Sequence, residues 1–177
     1  YPDKIPDTIT SISLAVVFFN ALSGSFAYSR MKRIDYKSGI MFAIAALPGS
    51  IIGSIITSYV QRRIFNGIFG VILVIVSVFL MVRTKKEAMK SNIVVKKGYV
   101  TRTVIDIEGV KHTFSYNPIV GIILSVFVGL ISSFLGIGGG IIHVPILINV
   151  LNYPVHIATA TSHFVLAAMS LSGTIVH

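Results

Sequence analysis

Residues 135–145 read LGIGGGIIHVP, with glycine at four of the five positions from 136 to 140 and proline at 145. The flanking sequence is apolar and typical of membrane helix, yet each glycine costs a helix interior about 1 kcal/mol relative to alanine. We therefore predict that one helix ends at membrane depth and that another begins after the glycines. In lipid, such a break is stable only where protein buries it or where it lines a cavity.

A helix that restarts inside the membrane offers a site for an anion. Its free N–H groups and the positive end of its dipole would face the cavity. Broken helices near the bilayer midplane are where many secondary transporters bind substrate. The alternative is that the glycines only let two helices pack closely, as small residues do in membranes. Three consecutive glycines exceed what packing usually needs, so we favour the broken helix.

The composition is that of an integral membrane protein. Of 177 residues, 54% are hydrophobic and 12% are charged, and the mean hydropathy is +0.85; soluble domains carry about 25% charged residues. The basic residues that give the net charge of +9 lie between apolar segments, where such residues orient a membrane protein. Nucleic acid is therefore not an expected partner. There is no cysteine, which excludes disulfides. Because the sequence starts without methionine and ends in an apolar run, we expect the middle of a longer protein.

The sequence predicts an all-α polytopic fold with a small β-hairpin. Apolar segments long enough to span a bilayer occupy residues 8–29, 39–59, 64–82, 118–135 and 157–176. The segment 141–151 is too short to cross alone unless the bilayer is locally thin or the segment is re-entrant. We divide the chain into a first half at 1–82, a loop at 83–117 and a second half at 118–177. The loop alternates as strands do at 99–104 and 110–116, around a turn at 106–109.

Basic residues predict the orientation. The loops at 30–37 and 83–117 carry four and eight Lys or Arg residues, and the loop at 61–63 carries two. The first and third loops, including the hairpin, are therefore expected in the cytoplasm. The predicted location is the plasma membrane of a prokaryote.

Two short stretches suggest an internal repeat. Residues 8–11 (TITS) are similar to residues 159–162 (TATS), and each stretch follows a Tyr-Pro pair. Coincidence is the alternative, because the matches are short. If residues 118–151 enter the membrane and turn back, the first and last spans run in opposite directions, as in inverted-repeat transporters. A single crossing of these 34 residues would be about 50 Å long, which exceeds the hydrocarbon core of about 30 Å.

Several of these motifs resemble the TauE/SafE family of sulfite exporters and related permeases. They are GIGGG at 136–140 with Val144-Pro145, ATATS at 158–162, and FNALSG at 19–24 leading to RIDY at 33–36. The resemblance implies two inverted halves and export of sulfite, organosulfonates or other sulfur-containing anions, coupled to protons. It implies no enzyme activity and no cofactor. The family's first glycine-rich element would precede Tyr1.

The polar groups predicted inside the membrane can donate hydrogen bonds, whereas all six acids lie outside the apolar spans. This set favours an anion over a cation, and histidine can titrate near neutral pH. No cluster with metal-ligand spacing is present. The candidate substrate-binding residues are Gly138, Gly139, Gly140, His143, Thr161, Ser162, His163, Thr10, Ser11 and Asn20. For the histidines the alternative is a neutral ring bonded to a neighbouring helix, and for the Ser and Thr residues it is helix capping.

We predict a secondary transporter that exports a small sulfur-containing anion, with the bilayer and protons as its other partners. The oligomeric state is left open. Two functions from other classes remain as alternatives. An intramembrane serine protease would use Ser23 as nucleophile and His177 as base. A membrane scaffold would transport nothing.

Overall fold

The computed structural model describes residues 5–83 and 98–176, which form six helices and a two-stranded hairpin. The elements are α1 (Ile5–Arg30), α2 (Tyr36–Tyr59), α3 (Arg62–Arg83), β1 (Val100–Ile105), β2 (Lys111–Tyr116), α4 (Pro118–Leu135), α5 (Gly140–Asn149) and α6 (Val155–Val176). The predicted helical class and hairpin are confirmed. The predicted bounds differ by a few residues at most, as at α1, which begins three residues before position 8.

Within residues 5–83 and 98–176, four helices are long and apolar enough to cross a membrane, which supports a multi-pass protein. They are α2, α4, α6 and the Thr8–Arg30 part of α1. Within the described residues, α5 and the Arg63–Val78 part of α3 are shorter apolar helices. Large apolar side chains such as Ile9, Val16 and Phe19 on α1 are more than half exposed, which suits a surface that faces lipid.

Contacts along α2 show that it runs parallel to α4. Near the start of both helices, the Phe42 ring lies where a Cβ at Gly121 would be. Near their ends, the Thr57 hydroxyl donates to the Phe134 carbonyl at 3.0 Å. In the same way, α6 runs parallel to α2, because the Ser50 and Ser172 hydroxyls are 2.5 Å apart near the far ends of these helices. The starts of α2, α4 and α6 therefore lie at one end of the bundle.

Helix α1 runs in the opposite direction to α6. Tyr28, near the end of α1, packs against His163 near the start of α6, with 5.3 Å between ring centroids. Leu14, nearer the start of α1, lies beside Gly173 near the end of α6. This antiparallel pairing is what the predicted inverted repeat requires of its first and last spans.

Helix α5 returns to the end of the bundle where α4 began. At its start, a Cβ on Gly139 would lie 3.0 Å from Met169 of α6. One turn later, His143 Nδ1 lies 3.2 Å from the hydroxyl of Ser162, which precedes Met169 on α6. Because α5 descends along α6 while α4 ascends, the α4–α5 pair forms a re-entrant helical hairpin.

Glycines bring the backbones of α2 and α4 into direct contact. A Cβ at Gly49 would meet the carbonyl oxygen of Val126, and one at Gly53 would meet that of Leu130. In the other direction, a Cβ at Gly129 would lie 3.2 Å from the Ala46 Cα. This is the close approach that small residues four apart allow between membrane helices.

The β-hairpin packs on the loops that join the helices. Its strands are antiparallel, with Thr103 opposite Thr113. The Phe114 ring packs at an angle of 44° against Tyr153, in the α5–α6 loop, with 4.1 Å between centroids, and the Ile107 N–H donates to the Met31 carbonyl at 3.1 Å. Since an isolated hairpin is marginal in water, these contacts stabilise it.

One ion pair anchors the hairpin turn. Arg33, after α1, lies 3.4 Å from the Asp106 carboxylate in the turn. Burial alone would raise the pKa of Asp106, but hydrogen bonds from the Val110 N–H, His112, the Glu108 N–H and Arg33 outweigh it. Together they lower the pKa below its ordinary value of 3.8. The ionised carboxylate therefore stabilises the turn.

Candidate functional site

The predicted break in the glycine stretch is present between α4 and α5. Gly136 ends α4 in the left-handed conformation, with φ at +66°, and its N–H donates to the Ser132 carbonyl at 2.9 Å. Gly138 has a φ of +68°, and Gly139 is the N-cap of α5. Only glycine adopts such angles at no steric cost. We call residues 136–139 the glycine turn.

The glycine turn is buried at an intermediate depth of the bundle. A Cβ at Gly138 would meet Val17 of α1 and would lie 3.3 Å from Leu166 of α6. The Ser13 hydroxyl of α1 donates to the Gly136 carbonyl at 2.5 Å. Because Leu166 lies near the middle of α6, the start of α5 also lies well inside the bundle.

The start of α5 has the chemistry of a weak anion site. The first N–H groups of a helix have no partners within it, and the dipole places positive charge there. Ser132, Gly138 and Gly139 border a cavity of about 20 Å³, whose other walls are apolar side chains of α3, α4 and α5. This volume suits roughly one water molecule. A cavity of this size has no room for a larger ligand beside these N–H groups.

His143 lies one turn beyond the glycine turn and is fully buried, at 1% exposure. Its Nδ1 is 3.2 Å from the Ser162 hydroxyl, and its ring packs edge-on against Phe42. Thr161 faces another partner, because its hydroxyl oxygen accepts from the Asp35 N–H at 3.1 Å. The two neighbouring residues on α6 thus connect α5 to the start of α2.

A buried polar network surrounds Asp35 at this end of the bundle. Asp35 is the N-cap of α2, and its carboxylate accepts from the N–H and hydroxyl of Ser38 and from the Tyr153 hydroxyl at 3.3 Å. The Ser38 hydroxyl is also 2.6 Å from the Tyr116 hydroxyl. Burial, Tyr116 and Asp35 raise the pKa of Tyr153, which therefore stays protonated as a donor.

The other predicted site residues form two groups. Four carry hydroxyls and lie inside helices, and the other two are His163 and Asn20. Thr10 is buried beside Gly136, and Ser11 next to it is half-buried. Both lie inside α1, and Thr161 and Ser162 lie inside α6, so none of the four caps a helix. His163 instead bonds the Thr159 carbonyl at 2.9 Å and faces α1, and Asn20 is exposed.

The pairing of Ser23 with His177, which the protease alternative requires, falls partly outside the described residues. Ser23 is exposed on α1, next to an open apolar groove. His177 lies outside the described residues.

The structure adds buried serines that sequence reasoning missed. The hydroxyls of Ser54, Ser132 and Ser133 are buried, and they have no hydrogen-bond partner within residues 5–83 and 98–176. Single serines in an apolar span are common in membrane helices. Only the parallel packing of α2 and α4 shows that these serines face the interior, so sequence pattern carried no signal for them.

Comparison with known proteins places the chain among membrane transport proteins. The model of the family "Sulfite exporter TauE/SafE" matches residues 5–177. The "Probable membrane transporter protein YunE" of Bacillus subtilis (strain 168) is 34% identical over 177 residues, which cover all of this chain and 63% of that protein. The "Probable membrane transporter protein MJ0441" of Methanocaldococcus jannaschii is 29% identical over 175 residues, 97% of this chain and 57% of that protein.

The chain spans about three fifths of the length of these curated relatives. No solved structure matches it. The family model nevertheless covers almost every residue, including the glycine turn, α5 and all of the described helices. On this match, the chain belongs to the TauE/SafE family of sulfite exporters, which are membrane transporters and not enzymes.

Proposed function

We propose that the chain forms part of a secondary transporter that exports a small sulfur-containing anion, such as sulfite or an organosulfonate, coupled to protons. The observation that carries this proposal is the glycine turn, which begins α5 inside a bundle of apolar helices. Helix termini at this depth are a recurrent way for transporters to bind substrate. The family supports the substrate class.

The chemistry around the turn supports an anion rather than a cation. The described polar side chains nearest to it are hydroxyls and an imidazole, from Thr10, Ser13, Ser132 and His143. The Asp35 carboxylate is at the start of α2 and is already bonded to Ser38 and Tyr153. Neutral donors and helix dipoles bind an anion weakly, which allows it to be released.

The small cavity supports alternating access. At about 20 Å³ it is too small for sulfite, so this conformation keeps the start of α5 closed. We place the hairpin, the Asp35 network and the α5–α6 loop on the cytoplasmic side of a prokaryotic plasma membrane, because basic residues concentrate at that end. Gly138, Gly139, Gly140, His143, Thr10, Ser11, Thr161 and Ser162 are the proposed anion-binding set, with Asn20 and His163 in supporting positions away from the turn.

The test is flux of radiolabelled sulfite into liposomes that contain the full-length protein, with sulfate and taurine as competitors. We expect flux that sulfite itself saturates and that a pH gradient drives. Gly139→Val should abolish it while the protein remains in the membrane, because a Cβ at Gly139 would lie 2.8 Å from Val128 and 3.0 Å from Met169. Gly70→Val of α3 is the matched control, since no heavy atom of the described residues lies within 4 Å of a Cβ there. Flux no faster than in protein-free liposomes would overturn the proposal.

A further inference from the structure

Two serine hydroxyls converge on the far side of the glycine turn from His143. Ser54 of α2 and Ser133 of α4 are both 0% exposed. A Cβ at Gly173 of α6 would lie 3.0 Å from Ser133 Oγ and 3.5 Å from Ser54 Oγ. The two hydroxyls therefore face one point between three helices.

The hydroxyls of Ser54 and Ser133, like that of Ser132, differ from those of two other buried serines of the same bundle. A serine inside a helix commonly donates to the carbonyl four residues earlier. Ser125 of α4 and Ser170 of α6 do so, at 2.8 Å and 2.7 Å. The Ser54 and Ser133 hydroxyls have no partner among the described residues. An unpaired buried hydroxyl destabilises a fold, and a ligand that accepts from both hydroxyls would remove that cost.

The position of the pair suits an anion that has passed the glycine turn. Ser162, which bonds His143, and Gly173 are separated by about 16 Å along α6 at 1.5 Å per residue. Leu166 and Met169, which contact the turn, lie between them. Asp35 caps the opposite end of α2, roughly 28 Å from Ser54 by the same rise, so its negative charge does not oppose an anion there.

We propose that Ser54 and Ser133 form a second binding position for the transported oxyanion, with both hydroxyls donating to its oxygens. The inference rests on the proposed function and extends it, since it divides the path into one position beside His143 and one beside Gly173. In this conformation Leu14 of α1 closes the second position, because a Cβ at Gly173 would lie 2.8 Å from it. The anion enters when α1 moves away.

The experiment measures binding of sulfite to the purified full-length protein through the rise in melting temperature during a sulfite titration. In the double variant Ser54→Ala, Ser133→Ala we expect a ligand-free melting temperature equal to or above that of the wild type, because no internal hydrogen bond is lost. The sulfite concentration at half-saturation should rise about tenfold, as expected for loss of hydrogen bonds to a charged ligand. The control Ser125→Ala, Ser170→Ala should lower the ligand-free melting temperature and leave half-saturation unchanged.

A second variant tests the same point without removing a hydroxyl. Gly173→Ala places a methyl group between Ser54 and Ser133 and should weaken sulfite binding by a similar factor. Unchanged half-saturation in the double serine variant would overturn this inference while leaving the proposed function intact. So would a fall in its ligand-free melting temperature as large as in the control. A wild-type protein that neither binds nor transports sulfite would overturn both.

Discussion

At the scale of single residues, His143 is the titratable side chain that the fold places one turn beyond Gly139, bonded to Ser162. If its protonation controls anion binding, sulfite flux through His143→Gln should depend less on pH than flux through the wild type. Glutamine can still bond Ser162 but cannot titrate. Flux in liposomes at fixed gradients measures this.

The control for this prediction is His163→Gln. His163 faces α1 and bonds a carbonyl of its own helix, so its loss should leave the pH dependence as in the wild type. A His143→Gln variant with the wild-type pH profile would reduce His143 to a packing residue.

Asp106 supports a prediction about pH and the hairpin. Because its pKa is lowered in the folded protein, its contribution to stability is complete above the ordinary value of 3.8. That contribution is lost as pH falls through the lowered value. Asp106→Asn should therefore reduce the melting temperature at pH 7, and the difference from wild type should shrink as the pH falls below 3.8.

Glu108→Gln is the matched control, since Glu108 is also beside Arg33 but its side chain is 67% exposed. We expect little effect from it, as for most exposed ion pairs. An equal effect of both substitutions would show that the net charge of the turn, and not the buried contact, stabilises the hairpin.

The sequence singles out some of the candidate residues and not others for a physical reason. The glycines and His143 are conspicuous because glycine and histidine are costly inside apolar helices. Ser54 and Ser133 are unremarkable in sequence, and their importance arises from which helix faces which. Asp35 lies in a predicted loop, but the hydrogen bond that it accepts from Tyr153 depends on a contact distant in the chain.

At the scale of helices, the glycine contact between α2 and α4 predicts a large effect of a small substitution. A Cβ at Gly49 would meet a backbone carbonyl, which cannot move aside as a side chain can. Gly49→Ala should destabilise the protein by about 1–3 kcal/mol, the usual cost of overpacking. Thermal or denaturant unfolding in detergent measures this change.

Gly67 of α3 provides the matched control. No heavy atom lies within 4 Å of a Cβ at Gly67 among the described residues, so alanine adds only helix propensity there. Gly67→Ala should be neutral or stabilise by up to about 1 kcal/mol. If Gly49→Ala were equally harmless, α2 and α4 would not pack as described.

The helix bounds were predictable because strong local signals mark them. Pro118 and Gly136 flank α4 at the predicted positions, since proline favours a helix start and glycine a left-handed end. The direction of α5 could be predicted only because residues 118–151 are too long for a single crossing of the membrane. The contacts of Gly139 and His143 with α6 now establish it.

At the scale of the whole molecule, the re-entrant α4–α5 hairpin places the α5–α6 loop on the same side as the β-hairpin. The sequence has no native cysteine, so single cysteines report topology cleanly. Asn152→Cys and Thr103→Cys, both at exposed positions, should resist impermeant thiol reagents in intact cells, whereas exposed Gln61→Cys should react.

Permeabilised cells supply the control, in which all three cysteines should react. Labelling of Asn152→Cys but not Thr103→Cys in intact cells would mean that residues 118–151 cross the membrane once. Labelling of Thr103→Cys would reverse the predicted orientation.

The backbone contact between α2 and α4 also limits how the transporter can move. With Gly49, Gly53 and Gly129 set against carbonyls and Cα atoms of the opposite helix, a slide of one residue along the contact would drive a Cβ into backbone. The helices α2 and α4 therefore move together as one rigid unit. In the proposed transporter, opening occurs where side chains interdigitate, between this pair of helices and α1 or α5.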